Sequence, residues 1–208
     1  MHIPSDYILK EQAPLHLLPK DWQAKETQAE PPVGYHKLYI EGGHDILPGF
    51  TNLNSIGCGV EKEIVHPLLS FPWPIEDNTV LEIFIGPIIC ELPLNVFGDF
   101  MQECWRVLVS SGQFKLKAPY YTSMAYWCNP RNRLPITDET FVWYSQRILR
   151  DRKITSLPNC SFSPLRCVFI YSKEWEMRAD SAKEWARRHY WNVVDVVEIT
   201  LKAVKPLD

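Results

Sequence analysis

Side chains that ionise, attack or ligate are thinly spread along this sequence. Six cysteines, Cys58, Cys90, Cys104, Cys128, Cys160 and Cys167, are scattered with no Cys-x-x-Cys pair, and no two histidines sit at ligand spacing. That pattern reads as reduced, mostly buried thiols and as no metal site. His44 and His66 each lack an acid at a spacing that would fix a tautomer, so both read as loop histidines rather than general bases. Glu184 and Arg188, four residues apart, read as an exposed helical ion pair. Two groups remain that suit binding. Tyr120, Tyr121, Tyr126, Trp127, Phe141, Trp143 and Tyr144 concentrate aromatic surface after Pro119. Half of it is expected in the core, and the rest suits a substrate pocket, base stacking or a protein interface. Arg131, Arg133, Arg147, Arg150, Arg152 and Lys153 form a local basic cluster, either solvated or facing phosphate or an acidic partner.

These groups need a scaffold, and 208 residues supply one domain with one sizeable core. A hydrophobic share of 46% with 23% charged residues excludes a disordered chain. The formal net charge of -3 gives no general attraction to nucleic acid or anionic lipid, so nucleic-acid binding has no support from charge and would have to be local. Met1 to Lys10 shows no signal-peptide pattern. The longest apolar stretch, Val80 to Leu94, is interrupted by Glu82, Pro87, Glu91 and Pro93. The expectation is a cytoplasmic protein without membrane contact.

Residues 1–33 read as a proline-rich arm that either wraps its own domain or reaches a partner, and residues 34–208 read as the domain itself. Within the domain, strands are expected over Lys37 to Ile40, Phe50 to Ile56, Val80 to Ile89, Gln113 to Pro119, Cys167 to Tyr171 and Val193 to Val204. The Val80 run, almost continuously apolar, suits a central strand buried on both faces. Phe97, Phe100, Met101, Cys104, Val107 and Leu108 recur at helical spacing, with Ser111-Gly112 as the stop. Thr137 is placed to cap a helix to about Arg150, and Ser172 to Tyr190 reads as one charged helix carrying Trp175 and Trp185. The order implies an α/β sandwich of three layers, its sheet mostly parallel and ending in an antiparallel C-terminal strand.

In such sheets ligands bind beyond the carboxyl ends of the strands. There the run Lys37-Leu38-Tyr39-Ile40-Glu41-Gly42-Gly43, followed by Pro48-Gly49-Phe50-Thr51-Asn52-Leu53-Asn54, resembles the first strand, glycine loop and second strand of class I S-adenosylmethionine-dependent methyltransferases. The likeness is to the small bacterial and phage branch, of methyltransferase type 11 kind, which lacks a long helix after the glycine loop. It continues through Phe71-Pro72-Trp73-Pro74, Glu76-Asp77-Asn78, the run from Phe100 to Leu108, Ser111-Gly112, Pro119, Asn129-Pro130 and Pro135 to Phe141. A Rossmann-like methyltransferase fold is what the resemblance implies.

The departures fall where the family touches its cofactor. The resemblance implies cofactor-binding positions at Glu41, Gly42, Gly43 and Asn54, and they are degenerate. Glu41 replaces the glycine that lets backbone approach the cofactor, and Asn54 replaces the acid that accepts from both ribose hydroxyls. Pro67 stands where an acid is expected near the adenine. Gly86-Pro87 and Cys90-Glu91 replace a Ser-His and a Glu-His pair, and Asn129-Pro130-Arg131-Asn132 replaces Asp-Pro-Thr-His, leaving no histidine to move a proton. Residues that set turns and strands persist while ligand-contacting ones change. The resulting expectation is a methyltransferase-fold protein without catalytic residues or cofactor, acting as a macromolecular binding or assembly protein for a protein partner or a second copy. Its interaction candidates are Tyr121, Trp127, Arg131, Arg133 and Trp143. Two alternatives stay open: an active methyltransferase using S-adenosylmethionine in an atypical site, and a phage structural or assembly component.

Overall fold

Seven strands form a single sheet in the order β3-β2-β1-β4-β5-β7-β6: β1 (His36–Ile40), β2 (Thr51–Asn54), β3 (Glu63–Val65), β4 (Val80–Ile85), β5 (Leu108–Pro119), β6 (Phe162–Tyr171) and β7 (Val194–Ala203). The pairs from β3 across to β5 are parallel, and β7 runs antiparallel to both of its neighbours. Helices α1 (Phe97–Val107), α2 (Met124–Trp127), α3 (Lys173–Glu176) and α4 (Asp180–His189) lie between the later strands. The computed structural model describes residues 36–145 and 160–205. The arm of residues 1–33, the far end of the helix expected to Arg150, and Arg147, Arg150, Arg152 and Lys153 lie outside them. The α/β, Rossmann-like sheet with its antiparallel C-terminal strand is thus the one the sequence implies.

Alternation along the strands selects one face for the core. Leu38 and Ile40, Ile83 and Ile85, Phe114, Leu116 and Ala118, and Val197, Ile199 and Leu201 are all at most 3% exposed. Onto this face α1 lays Phe97, Phe100, Met101, Cys104 and Val107. Phe141 and Tyr144 close the layer against Phe114 and Phe97. The opposite face carries Lys37, Tyr39, Glu82, Phe84, Lys115, Lys117 and Glu198, none of them fully buried. Glu82 pairs there with Lys37 at 3.6 Å and with Lys115 at 3.0 Å. Among the described residues β4 is therefore fully buried on one face only: Glu82 interrupts the apolar run that predicts burial on both, and Leu81 and Phe84 are only partly buried.

Four other elements differ from expectation. The strand from Val80 ends at Ile85, since Pro87 removes a ladder donor and starts a short 3₁₀ turn, Pro87–Glu91. Helix α1 stops at Val107, where Leu108 turns extended, and Ser111-Gly112 instead forms a bulge inside β5. Between Val80 and Glu82 of β4, β5 advances from Leu108 to Gln113. Glycine fits closely at 112, where a Cβ would lie 3.0 Å from the Val109 carbonyl oxygen and 3.2 Å from that of Val80 and would press both aside by a few tenths of an ångström. Thr137 accepts from the Glu139 N–H as a cap should, but the described chain continues as turns and a 3₁₀ segment, Val142–Tyr144, not as an α-helix. The charged helix is divided at Met177 to Ala179 into α3 and α4. β3, in a stretch of mixed charge, has too little alternation to be read from sequence.

Candidate functional site at the carboxyl ends of the strands

The carboxyl ends of β1 and β2 are stitched together by the side chains in question. Glu41 follows β1 with φ 52, in the left-handed region, and its N–H donates to the Leu53 carbonyl at 2.8 Å. Its carboxylate accepts from the Ser55 backbone N–H at 2.8 Å and from the Ser55 hydroxyl, and Ser55 Oγ in turn accepts from the Leu68 N–H at 3.0 Å. Gly42 cannot be anything larger, since a Cβ would meet the Tyr39 ring at 2.5 Å. Gly43, with φ 59, folds back so that its N–H donates to Asn54 Oδ1 at 3.1 Å.

Asn54 is 1% exposed and closes the other half of this knot. Its Nδ2 donates to Glu63 Oε1 at 2.6 Å and to the Gly43 carbonyl at 3.3 Å. Asn52 adds bonds from its Nδ2 to the Gly43 and Asp45 carbonyls. Glu63 also accepts from the Cys58 and Gly59 N–H groups, and these donors, Asn54 first, hold its carboxyl below the usual carboxylate range. Glu41, Gly43 and Asn54 are thus brought together, bonded to one another or to Ser55 and Glu63, while the Gly42 carbonyl between them accepts from the Asp45 N–H. Sequence reasoning missed Ser55 and Glu63: neither belongs to a motif, and Glu63 lies on the unread strand β3.

Beyond β4, the Cys90 carbonyl accepts from the N–H groups of Arg133 and Leu134, docking the 129–134 loop. Glu91 accepts from Asn129 Nδ2 at 3.0 Å and pairs with Arg131 Nε at 3.4 Å. Asn132 donates to the Tyr126 carbonyl. Amides and a carboxylate hold this loop in place, and neither amide titrates. Burial, with the Glu91 charge second, pushes the Cys90 thiol up to about 12, which makes it a core group and not a nucleophile. Burial pushes the Cys160 and Cys167 thiols up to about 12 as well. All six cysteines are free; Cys90, Cys104 and Cys160 are buried, while Cys128 is exposed. Among the described residues no three His, Cys, Asp or Glu side chains gather as a metal site. His66 Nε2 donates to the Ser70 carbonyl in a surface loop, and His44 is exposed.

The interaction candidates divide between two places. Tyr121 packs edge-on against Tyr120, and Trp127, 57% exposed, donates from Nε1 to the Tyr121 carbonyl. Arg131 and Arg133 are exposed on the docked loop, and Trp143 is 44% exposed on the 3₁₀ segment. The structure adds residues from the other end of the chain. Trp191 lies 5.8 Å from Trp127, ring centre to ring centre, and Tyr190 contacts both Trp175 and Trp185. Trp191 is 61% exposed. Beneath them Arg187 pairs with Asp138 at 3.1 Å and stacks on Phe169, and it donates to the Tyr120 hydroxyl. Burial pulls the Arg187 pKa down, but Asp138 together with Tyr120 and Tyr171 outweighs it and the guanidinium stays charged. Helix α4 buries only Ala186, so its tryptophan belongs to surface; the sequence signal for that was an apolar ring on a helix with no apolar stripe.

No protein-family model matches the sequence, and no curated protein matches it. Solved structures do. A SAM dependent methyltransferase from Archaeoglobus fulgidus superposes with a TM-score of 0.51 at 11% identity, over 81% of this chain and 86% of that one. The YcgJ protein from Bacillus subtilis reaches 0.48 at 12% identity, over 84% of this chain and 94% of its own. Geranyl diphosphate C-methyltransferase from Streptomyces coelicolor, solved with geranyl diphosphate and S-adenosyl-L-homocysteine, reaches 0.49 at 11% identity, over 82% and 73%. At such identities the likeness is one of fold. No helix among the described residues is long and apolar enough to cross a membrane. With the strand order β3-β2-β1-β4-β5-β7-β6 and an antiparallel seventh strand, the chain has the class I S-adenosylmethionine-dependent methyltransferase fold.

Proposed function

We propose that this protein uses the methyltransferase fold as a scaffold to bind another macromolecule, a protein partner or a second copy of itself, and does not transfer methyl groups. The observation that carries the reading is the closed bonding of Asn54. The resemblance asks for a carboxylate here, free to accept from two ribose hydroxyls. Asn54 instead gives its oxygen to the Gly43 N–H and its amide hydrogens to Glu63 and the Gly43 carbonyl. Engaging a ribose would break buried hydrogen bonds, each leaving a donor or acceptor unsatisfied at roughly 1–3 kcal/mol. Glu41 adds a negative side chain where the family's backbone meets the cofactor. The residues present do not fit S-adenosylmethionine.

Binding of a macromolecule is supported by the exposed rings around Trp127 and Trp191, since clustered solvent-facing tryptophan and tyrosine are interface anchors more often than idle surface. Titration calorimetry of the full chain with S-adenosylmethionine and S-adenosylhomocysteine is the test. The expected result is no heat of binding at ligand concentrations up to about 1 mM. Micromolar binding of either compound would restore the reading of an active enzyme with an atypical site.

A further inference from the structure

The exposed rings past the end of β5 also limit what they can bind. One face of Trp185 is taken by the His189 ring, 4.3 Å away and inclined by 17°, and one face of Trp175 by the Arg178 guanidinium at 5.8 Å. Trp127, Tyr190 and Trp191 therefore offer most of the open ring area. Charge around them cancels. Residues 173–189 carry five cations against four acids, and Asp138 beneath Arg187 supplies a fifth acid. Lys183 pairs with Asp180 and Arg188 with Glu184, each at 2.8 Å. A partner held by its phosphates needs unpaired cations, and here they are largely matched within the chain. Hydrogen-bonding capacity, by contrast, is one-sided. Trp127 Nε1 donates to the Tyr121 carbonyl, but the indole N–H groups of Trp175, Trp185 and Trp191 have no acceptor among the described residues. An indole donates and never accepts.

Building on the reading of this surface as a macromolecular binding site, we propose that its partner is a proline-rich segment of another protein, in the polyproline II conformation. Such a segment supplies what the rings lack. Each proline brings a carbonyl acceptor and no N–H, so the indoles gain partners and no peptide donor is left seeking one. Its ring is apolar and uncharged and packs on an aromatic face, and its fixed φ lowers the cost of ordering the segment on binding. An ordinary extended segment would bring one N–H per residue to rings whose only acceptor is the Tyr190 hydroxyl. A nucleobase would stack as well, but its phosphates would meet a surface with no net positive charge.

The test follows the indole N–H resonances of the ¹⁵N-labelled full chain, assigned by single Trp→Phe variants, as a blocked ten-proline peptide is added. Parallel titrations use a Gly-Ser peptide of the same length and oligothymidylate. The expected result is saturable movement of the Trp127 and Trp191 signals by the proline peptide, with a dissociation constant below about 1 mM, and none of the buried Trp73 signal. Trp191→Phe, which keeps a ring and removes the donor, should weaken the proline peptide at least about fivefold, the worth of one hydrogen bond, and leave thermal unfolding cooperative. No movement with the proline peptide, equal movement with the Gly-Ser peptide, tighter binding of oligothymidylate, or an unchanged affinity in Trp191→Phe would each overturn the proposal. S-adenosylmethionine binding is decided separately by calorimetry, so failure here is distinct from failure of the scaffold reading.

Discussion

Glu41 and Asn54, at positions where the resemblance implies cofactor contacts, each make a set of bonds of their own. At φ 52 a residue with a side chain sits in a region that costs roughly 1–2 kcal/mol. The two hydrogen bonds from Ser55 offset that strain. Asn54 is likewise matched to Glu63, so returning it to the family's acid sets two carboxylates at the 2.6 Å contact that Nδ2 now makes. In Asn54→Asp the pair will hold a proton more tightly folded than unfolded, so stability will fall as pH rises and recover as pH drops. In the unaltered chain the sign is opposite. Glu63 is held below its unfolded value of about 4.3, and its contribution is lost as pH falls through the folded value. The expected outcome is a variant that melts several degrees lower at about pH 7, converges on the parent near pH 5, and binds no S-adenosylmethionine. A melting temperature unchanged at neutral pH would show that Glu63 is not the partner that matters. The sequence makes the exchanged residues legible; Ser55 and Glu63, which make the exchanges stable, belong to no motif.

At the scale of elements, the run from Phe100 to Leu108 is specific because it carries a polar anchor inside an apolar helix. Glu103 is 6% exposed and accepts from the Trp73 backbone N–H at 2.6 Å and from Arg106 Nε and Nη2. Arg106 then reaches Asp77 and the Trp73 carbonyl, and the bond to Glu103 raises its pKa and keeps it charged. One carboxylate thus ties α1 to the rigid 71–77 loop ahead of β4. Glu103→Ala leaves the Trp73 N–H without its acceptor and Arg106 with only Asp77 and the Trp73 carbonyl, and is expected to destabilise the fold by about 1–3 kcal/mol in urea unfolding. Glu103→Gln, which keeps one acceptor, should lose less. Equal small losses would mean that the loop is held by Trp73 packing alone. Helix α1 and strand β7 are legible because their periods are unbroken over ten residues or more. The β5 bulge and the break before α4 are not, since each depends on the backbone of a neighbouring strand or on a three-residue turn.

For the molecule as a whole, the described residues place a closed hydrogen-bonded knot at the ends of β1 and β2 and an open aromatic surface past the end of β5. The surface joins two stretches far apart in sequence, 120–127 and 175–191, through the Asn192 side chain accepting from the Met124 N–H and through the Arg187–Asp138 pair beneath. Only its first stretch was visible as a candidate, because the meeting of the two depends on β7 returning antiparallel beside β5. A core would bury these rings, yet Trp127, Trp185, Tyr190 and Trp191 each remain more than half exposed. Their removal should therefore cost folding little and association much. In the double variant Trp127→Ser, Trp191→Ser, thermal unfolding should stay cooperative with a loss within about 1–2 kcal/mol, the worth of a ring pair and one exposed hydrogen bond. Sedimentation velocity over a concentration series, with and without any bound partner, should show association weakened at least about tenfold, as for an interface anchor worth 1.4 kcal/mol or more. Association unchanged in the variant would leave this surface idle and move the search for the interface to the 129–133 loop, where Arg131 and Arg133 stand exposed.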